Sequence, residues 1–320
     1  MKKYLFLLVA VAMVTSATAQ FYVSASGGIS MGSAGILTGT SLNVDQSKAT
    51  NHYGSYGEGT TVQFRAGYMF NKTFGLELGL GYLNGADQIV DHYDNYYATS
   101  VFPTPFGDSD PATLLVNDVT KAKAHARAYG LTAAIVYNFN EHIYGKFGAV
   151  TKVGGKTVAN GTNVVNVSLT ENVYIPDSAP EPYGGAVAIP AGTPVKTVTT
   201  TVEQEYHGRI PLGFIGAMGY KYNLGENWGL FAELEYLGIN VTRDTSEYTK
   251  FTSTDVSHLG APTVTTTLDQ LPFNEVTYED SLAQPNLDPK KDLSSVAPYS
   301  SFGINFGITY TFGSKKEAKN

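Results

Sequence analysis

The sequence lacks cysteine, long apolar runs in its main part, and any excess of basic charge. It has 320 residues, no cysteine, and a formal net charge of −7 at pH 7. The absence of cysteine excludes disulfides, thiolate metal sites and a lipid-modified cysteine at a cleavage site. The net acidic charge, without a basic cluster, argues against nucleic acid as a partner.

Charged residues are scarce, whereas glycine and aromatic residues are abundant. Only 15% of the residues are charged, and the chain holds 34 glycines, 22 tyrosines and 16 phenylalanines. Beyond the N-terminus, no apolar run approaches the roughly 20 residues that a membrane-spanning helix needs. Few charges, many aromatics and many glycines favour a β-barrel over a helical enzyme.

The N-terminus predicts a secretory signal peptide over residues 1–19. Lys2 and Lys3 form a basic start, Tyr4–Val14 is a short apolar run, and Ala17–Ala19 is a small-residue cleavage site before Gln20. This order of regions is typical of exported proteins. Cleavage after Ala19 removes two lysines and no acidic residue, which takes the net charge from −7 to −9.

The rest of the chain predicts eight strands in which apolar side chains alternate with small or polar ones. In the last of them, phenylalanine, isoleucine and tyrosine share one face, and glycine, asparagine and threonine share the other. Because side chains of a strand point alternately to opposite faces, such a strand has one apolar face. The predicted strands are Phe21–Met31, Thr60–Phe70, Thr73–Asp87, Lys121–Phe139, Ile143–Val158, Thr199–Tyr222, Trp228–Thr245 and Ser301–Phe312.

Short and long connections alternate along the chain. The short ones are rich in asparagine and glycine, as hairpin turns are. This alternation predicts an eight-stranded, antiparallel, up-and-down transmembrane β-barrel, with four long extracellular loops and both termini on the periplasmic side. The short connections are Asn71–Lys72, Asn140–His142 and Asn223–Asn227, and the long ones are Gly32–Gly59, Gln88–Thr120, Ala159–Val198 and Ser246–Ala297.

Aromatic residues stand at the ends of the apolar faces, as in the two interfacial girdles of a membrane barrel. A soluble β-sandwich would turn the same apolar faces inward, but it gives no reason for alternating connection lengths. A barrel of ten strands is the structural alternative, with a further hairpin made of Val164–Ile175 and Ala186–Thr200. The predicted membrane-interface aromatics are Phe74, Tyr82, Tyr129, Phe139, Trp228 and Tyr236.

The last strand carries the sharpest motif, a polar residue, a glycine and two aromatics at Asn305, Gly307, Tyr310 and Phe312. With it, the chain resembles the small eight-stranded outer-membrane barrels of the OmpA/OmpX/OmpW-like group over Gln20–Phe312. The resemblance implies that the motif is an assembly signal read by the outer-membrane assembly machinery. The chain departs from the family pattern in its polar tail, 313–320, which would lie in the periplasm. Its cleavage site resembles those of secreted Bacteroidota proteins.

Seven charged residues are predicted to face the lumen. The interior of an eight-stranded barrel is just wide enough to be filled by side chains. Opposite charges there should pair and plug the lumen, because an unpaired buried charge is expensive. A gate or narrow polar conduit is the alternative, and catalysis by the two neighbouring glutamates is unfavoured because no substrate could reach them. The set is Arg65, Glu77, Lys146, Arg209, Lys221, Glu233 and Glu235.

Two functions from different classes follow. The first is a non-enzymatic outer-membrane barrel with a structural role, or with a surface role in which its tyrosine- and asparagine-rich loops bind an extracellular ligand. The second, implied by the resemblance to OmpW-like members, is a narrow channel for small or hydrophobic solutes. Outer-membrane lipids, including lipopolysaccharide, and the assembly machinery are the expected partners. The scattered histidines and the acidic loops match no metal motif, so no metal or cofactor is predicted.

Overall fold

The computed structural model describes residues 20–33, 36–43, 47–102, 112–175 and 187–312. These residues form strands almost throughout, with a single 3₁₀ turn at Leu268–Gln270. The prediction of an all-β chain is therefore confirmed. Across the described ranges, no helix has the length and apolar character to cross a membrane. The predicted signal peptide and the polar tail lie outside the described residues.

The strands are numbered in chain order. They are β1 (Gln20–Gly32), β2 (Ile36–Leu42), β3 (Ala49–Gly54), β4 (Gly59–Met69), β5 (Phe74–Gly85), β6 (Gln88–Phe102), β7 (Ala112–Asn138), β8 (Ile143–Leu169), β9 (Val173–Ile175), β10 (Val187–Ile189), β11 (Pro194–Gly208), β12 (Gly213–Asn223), β13 (Trp228–Gly238), β14 (Asn240–Ser257), β15 (Val264–Thr267), β16 (Glu275–Glu279), β17 (Lys291–Leu293), β18 (Val296–Pro298) and β19 (Ser301–Thr311).

Antiparallel pairings join eight of these strands into a circuit. Strand β1 pairs with β4, β4 with β5, β5 with β7, and β7 with β8. Strand β8 then pairs with β12, β12 with β13, β13 with β19, and β19 again with β1. Each predicted strand overlaps one member of this circuit. Every member is hydrogen-bonded on both sides, so the circuit presents no free edge.

Asparagine side chains close two of the short turns in the same way. The Oδ1 atom of Asn71 accepts hydrogen bonds from the backbone N–H groups of Thr73 and Phe74, both at 2.8 Å. The Oδ1 atom of Asn140 accepts from His142 and Ile143, also at 2.8 Å. These bonds satisfy turn N–H groups that no strand partner reaches. The end of the circuit with these turns is called the lower end below.

The sixth predicted strand is broken into β11 and β12, and the seventh into β13 and β14. The register explains the first break. Strand β8 pairs with β12 as far as Val150 and with β11 only from Thr157 onward. The residues 151–156 lie outside both registers and contain a bulge at Val153, and Gly155 shortly after it adopts a φ of +91°. Glycine suits this position because a side chain there would be strained.

Much of what the sequence predicts as long loops is strand. Strand β7 begins at Ala112 rather than near Lys121, and β8 continues to Leu169. Strands β6, β7, β8, β11 and β14 pair in that order and continue the sheet beyond the upper end of the circuit. Of the alternative extra hairpin, residues 164–169 belong to β8 and 194–200 to β11, whereas β9 and β10 pair as a separate short hairpin. Valine- and threonine-rich sequence keeps these ladders going where the apolar alternation ends.

Burial in the circuit is inverted relative to a soluble protein. On the outer face, Leu78 is 57% and Phe147 67% exposed, and the same face of every circuit strand is apolar. On the inner face, Arg65 is 6% and Glu233 only 2% exposed. Charged residues are almost never buried unless paired, and large continuous apolar surfaces mark a binding or membrane face. The outer surface of the circuit is therefore an apolar band.

Aromatic side chains edge this band at both ends. At the lower end, Trp228 packs against Tyr310 at 4.8 Å between ring centroids, and Phe74 against Tyr137 at 5.0 Å, with Phe139 beside it. At the upper end lie the pairs Tyr82–Tyr129 and Phe214–Tyr236. Strand β5 runs eight residues from Phe74 to Tyr82, which is roughly 26 Å at the rise of a strand.

Candidate functional site

Five charged side chains meet inside the circuit, at about the mid-height of the apolar band. The Arg65 guanidinium on β4 lies 2.7 Å from Glu233 and 3.4 Å from Glu235, both on β13. The Lys146 ammonium on β8 lies 2.7 Å from Glu77 on β5 and 2.8 Å from Glu233. We call these five residues the charge network. It joins four strands across the interior.

Three neutral donors complete the charge network, and the sequence analysis missed them. The Tyr22 hydroxyl donates to Glu77 at 2.8 Å, and the Tyr144 hydroxyl donates to Glu233 at 2.8 Å. The Gln63 amide donates to Glu235 at 2.9 Å. These donors supply the three carboxylates with hydrogen bonds that two cations alone do not provide. The sequence did hold one signal for them, since all three lie on the polar faces of β1, β4 and β8 that were predicted to face the lumen.

Aromatic rings fill the space that the inward-facing glycines leave. A Cβ atom at Gly67 would collide with the ring of Tyr22, and one at Gly219 with the ring of Tyr144. The rings can thus lie flat against neighbouring strands and bring their hydroxyls to the network. Gly67 and Gly219 therefore accommodate these two rings, whereas Gly79 and Gly81 line a cavity above the charge network.

Arg209 and Lys221 do not belong to the charge network. Arg209 lies in the break between β11 and β12, where its guanidinium pairs with Asp280 at 2.8 Å and Asp244 at 3.4 Å in the upper extension. The Lys221 ammonium lies near the lower end, donates to Asn138 at 2.8 Å, and sits over the ring of Tyr144. The prediction that Arg209 faces the lumen is wrong, because the sixth predicted strand breaks at this residue.

The four residues of the predicted assembly signal divide between the two faces of β19. Asn305 is 1% exposed and accepts a hydrogen bond from Thr61 at 3.2 Å. Gly307 lies beneath Phe231, whose ring a Cβ atom there would meet. Tyr310 and Phe312 pack against each other in the lower aromatic rim. These contacts give each residue a structural role, and recognition by the assembly machinery stays a prediction.

The charge network separates two spaces inside the circuit. Above it lies a cavity of about 90 Å³ whose lining includes Gln63 and Glu235. Below it lies an open basin of about 540 Å³ whose lining includes Arg65, Glu77 and Lys146. None of the described residues lines both spaces. The network and its aromatic neighbours thus stand between the upper and the lower interior.

Among the residues that the structure describes, no group of three or more potential ligands is placed to hold a metal ion. Both oxygens of Glu235 are engaged, one by Gln63 and the other by Arg65. Glu233 is likewise bound by Arg65, Lys146 and Tyr144. The arrangement is that of a structural ion-pair cluster, in which each carboxylate is held by several donors.

No protein-family model and no curated protein sequence matches the chain. Among solved structures, a major outer membrane protein from Thermus thermophilus is 12% identical, with a TM-score of 0.29, and the match covers 92% of this chain and 99% of that one. Ail, the attachment invasion locus protein of Yersinia pestis, is 10% identical, with a TM-score of 0.23 and coverages of 92% and 97%. Both TM-scores are low.

Proposed function

We propose that the chain is an eight-stranded transmembrane β-barrel of the outer membrane. In this proposal the charge network closes the lumen, and the upper sheet extension lies on the cell surface. The inverted burial carries this proposal, because exposed apolar side chains on every circuit strand need lipid and not water. The circuit of pairings supports it as well, since only closed sheets satisfy every backbone group in a bilayer.

We propose that the lumen does not conduct, because the charge network blocks it. Arg65 and Lys146 hold three carboxylates at ion-pair distance, and the rings of Tyr22 and Tyr144 occupy the space beside them. Moving such a cluster aside would leave buried charges without partners, which is strongly unfavourable. The proposed role is therefore structural or surface interaction, and not catalysis.

Single-channel recording tests this state. We expect the purified protein in planar bilayers to show no stable open level above background. The variant Arg65→Ala/Glu233→Ala removes the cross-lumen pair and should give measurable openings. The exposed pair Arg209→Ala/Asp280→Ala is the matched control and should stay silent. A stable open level in the wild-type protein would contradict the closed lumen and favour the second candidate, a narrow channel for small or hydrophobic solutes, which the apolar cavity above the network supports.

The surface position of the extension is tested by cysteine labelling, which the absence of native cysteine makes unambiguous. Leu287 lies between β16 and β17 and is 87% exposed, whereas Glu141 is exposed in a short turn at the lower end. In intact cells, a membrane-impermeant maleimide should label Leu287→Cys and leave Glu141→Cys unlabelled until the outer membrane is permeabilised. Labelling of Glu141→Cys alone would mean that the opposite end faces outward.

A further inference from the structure

Two adjacent chambers lie above the charge network, and the proposed function does not use them. The lower chamber has a volume of about 90 Å³ and the upper one about 60 Å³. They share Lys152, Val241 and Tyr299 as lining residues. For comparison, an engineered cavity of about 150 Å³ lined by apolar side chains binds benzene. The combined volume of the two adjoining chambers is of the same order.

Lys152 is a buried cation without an acidic partner at the junction of these chambers. It is only 9% exposed. Its ammonium donates to the carbonyl oxygen of Gly155 at 3.1 Å and sits 5.8 Å from the centre of the Tyr299 ring. Within the described part of the chain it forms no ion pair with a carboxylate, in contrast to Lys146 in the network. A buried charge in this state lacks the anion that would compensate it.

The upper chamber adds a second cation and no acid. Arg243 lines it, with its guanidinium stacked 4.6 Å from the centre of the Tyr206 ring. Burial raises the pKa of Tyr206 to about 12, so this phenol is neutral at physiological pH and does not balance the charge. None of the described residues that line this chamber is an aspartate or a glutamate. The chamber is therefore cationic.

The lower chamber is apolar over most of its lining. Aliphatic side chains are the most numerous group in its walls, and Gln63 and Glu235 at its floor are already engaged in the charge network. A ligand that fits both chambers has an anionic group at one end and an apolar body at the other. The apolar lining residues include Ala128, Val150, Ile215, Leu237 and Ile239.

We propose that the two chambers form a binding site for a small amphipathic monoanion. Its acidic group lies between Lys152 and Arg243, and its apolar body extends into the lower chamber. The anionic group supplies the charge that the two cations lack, and the apolar body replaces the empty volume beneath them. The site does not require a conducting lumen, because both chambers lie above the charge network.

The break in the wall of the circuit gives the site an opening. A surface groove is lined by Lys152, His207 and Gly208, which also line the upper chamber. This groove lies where the residues 151–156 of β8 pair with neither β11 nor β12. A ligand can therefore approach the Lys152 ammonium without passing the charge network.

The test uses hexanoate, hexanol and inorganic phosphate as probes on the full-length protein in lipid nanodiscs, with binding to empty nanodiscs subtracted. Ligand-observed NMR titration gives the dissociation constants. We expect hexanoate to bind at least about tenfold more tightly than either hexanol or phosphate. The variant Lys152→Met keeps an unbranched side chain one atom shorter and removes its charge, and it should weaken hexanoate binding about tenfold while leaving hexanol binding unchanged.

The matched control is Lys250→Met, which makes the same change at a lysine whose side chain is 72% exposed. It should leave hexanoate binding unaltered. Equal affinity for hexanoate and hexanol would overturn the role of the cations, and equal affinity for hexanoate and phosphate would overturn the role of the apolar chamber. Should Lys152→Met not fold, the comparison of the three probes on the wild-type protein still decides between these outcomes.

Discussion

Replacing Arg65 by methionine is expected to lower the free energy of unfolding by about 3–5 kcal/mol. The substitution removes a side chain that contacts Glu77, Glu233 and Glu235, and it leaves three buried carboxylates with Lys146 as the remaining cation of the network. Methionine keeps most of the volume of the arginine side chain. The loss of unfolding free energy therefore comes from the uncompensated carboxylates and not from a large cavity. Equilibrium urea unfolding in lipid vesicles measures it.

The control for this prediction is Arg209→Met. That guanidinium is also ion-paired, with two carboxylates, but it lies half-exposed in the upper extension, where ion pairs contribute little to stability. We expect its free energy of unfolding to stay close to that of the wild type. Equal losses for Arg65→Met and Arg209→Met would mean that the charge network does not hold the interior together.

The second large effect is expected on the outer surface. Leu78→Arg should lower the free energy of unfolding in vesicles by about 2–4 kcal/mol, the range for arginine at the bilayer midplane on a barrel's lipid face. Leu78 lies halfway between Phe74 and Tyr82 on β5, and its side chain is 57% exposed. On a water-facing surface, the same change at so exposed a residue would have little effect.

Leu287→Arg is the matched control for this substitution. Leu287 is the same residue type and is even more exposed, at 87%, but it lies in the upper extension. We expect its free energy of unfolding to change by no more than about 0.5 kcal/mol. A harmless arginine at position 78 would contradict a lipid-facing apolar band.

The sequence predicts the circuit strands well because their alternation repeats over ten or so residues with few exceptions. Thr73–Asp87, for example, corresponds to β5 at Phe74–Gly85. The asparagine-rich short connections are equally local signals, since one asparagine side chain caps the turn in two of the three. A local pattern of this kind depends only on residues that are near in sequence, so it can be identified without knowing which strands pair.

The sequence does not predict features that depend on pairing between distant strands. Arg209 fits the alternation of polar and apolar residues in the predicted strand. The strand nevertheless breaks there, because β8 pairs with β11 above this point and with β12 below it. The upper extension has no apolar alternation and reads as loop, although long ladders hold it together. Tyr22 and Tyr144 resemble any other tyrosine until the register places Gly67 and Gly219 beside their rings.

Quenching of Trp228 by brominated lipids tests the lipid-facing apolar band most directly. Trp228 is the single tryptophan of the chain, and it lies 51% exposed on the outer face in the lower aromatic rim. In vesicles, we predict strong quenching by lipids brominated near the headgroup, weaker quenching by lipids brominated near the chain end, and little quenching by iodide in water. Strong quenching by iodide with none by brominated lipid would show that this face meets water, and would contradict the transmembrane barrel.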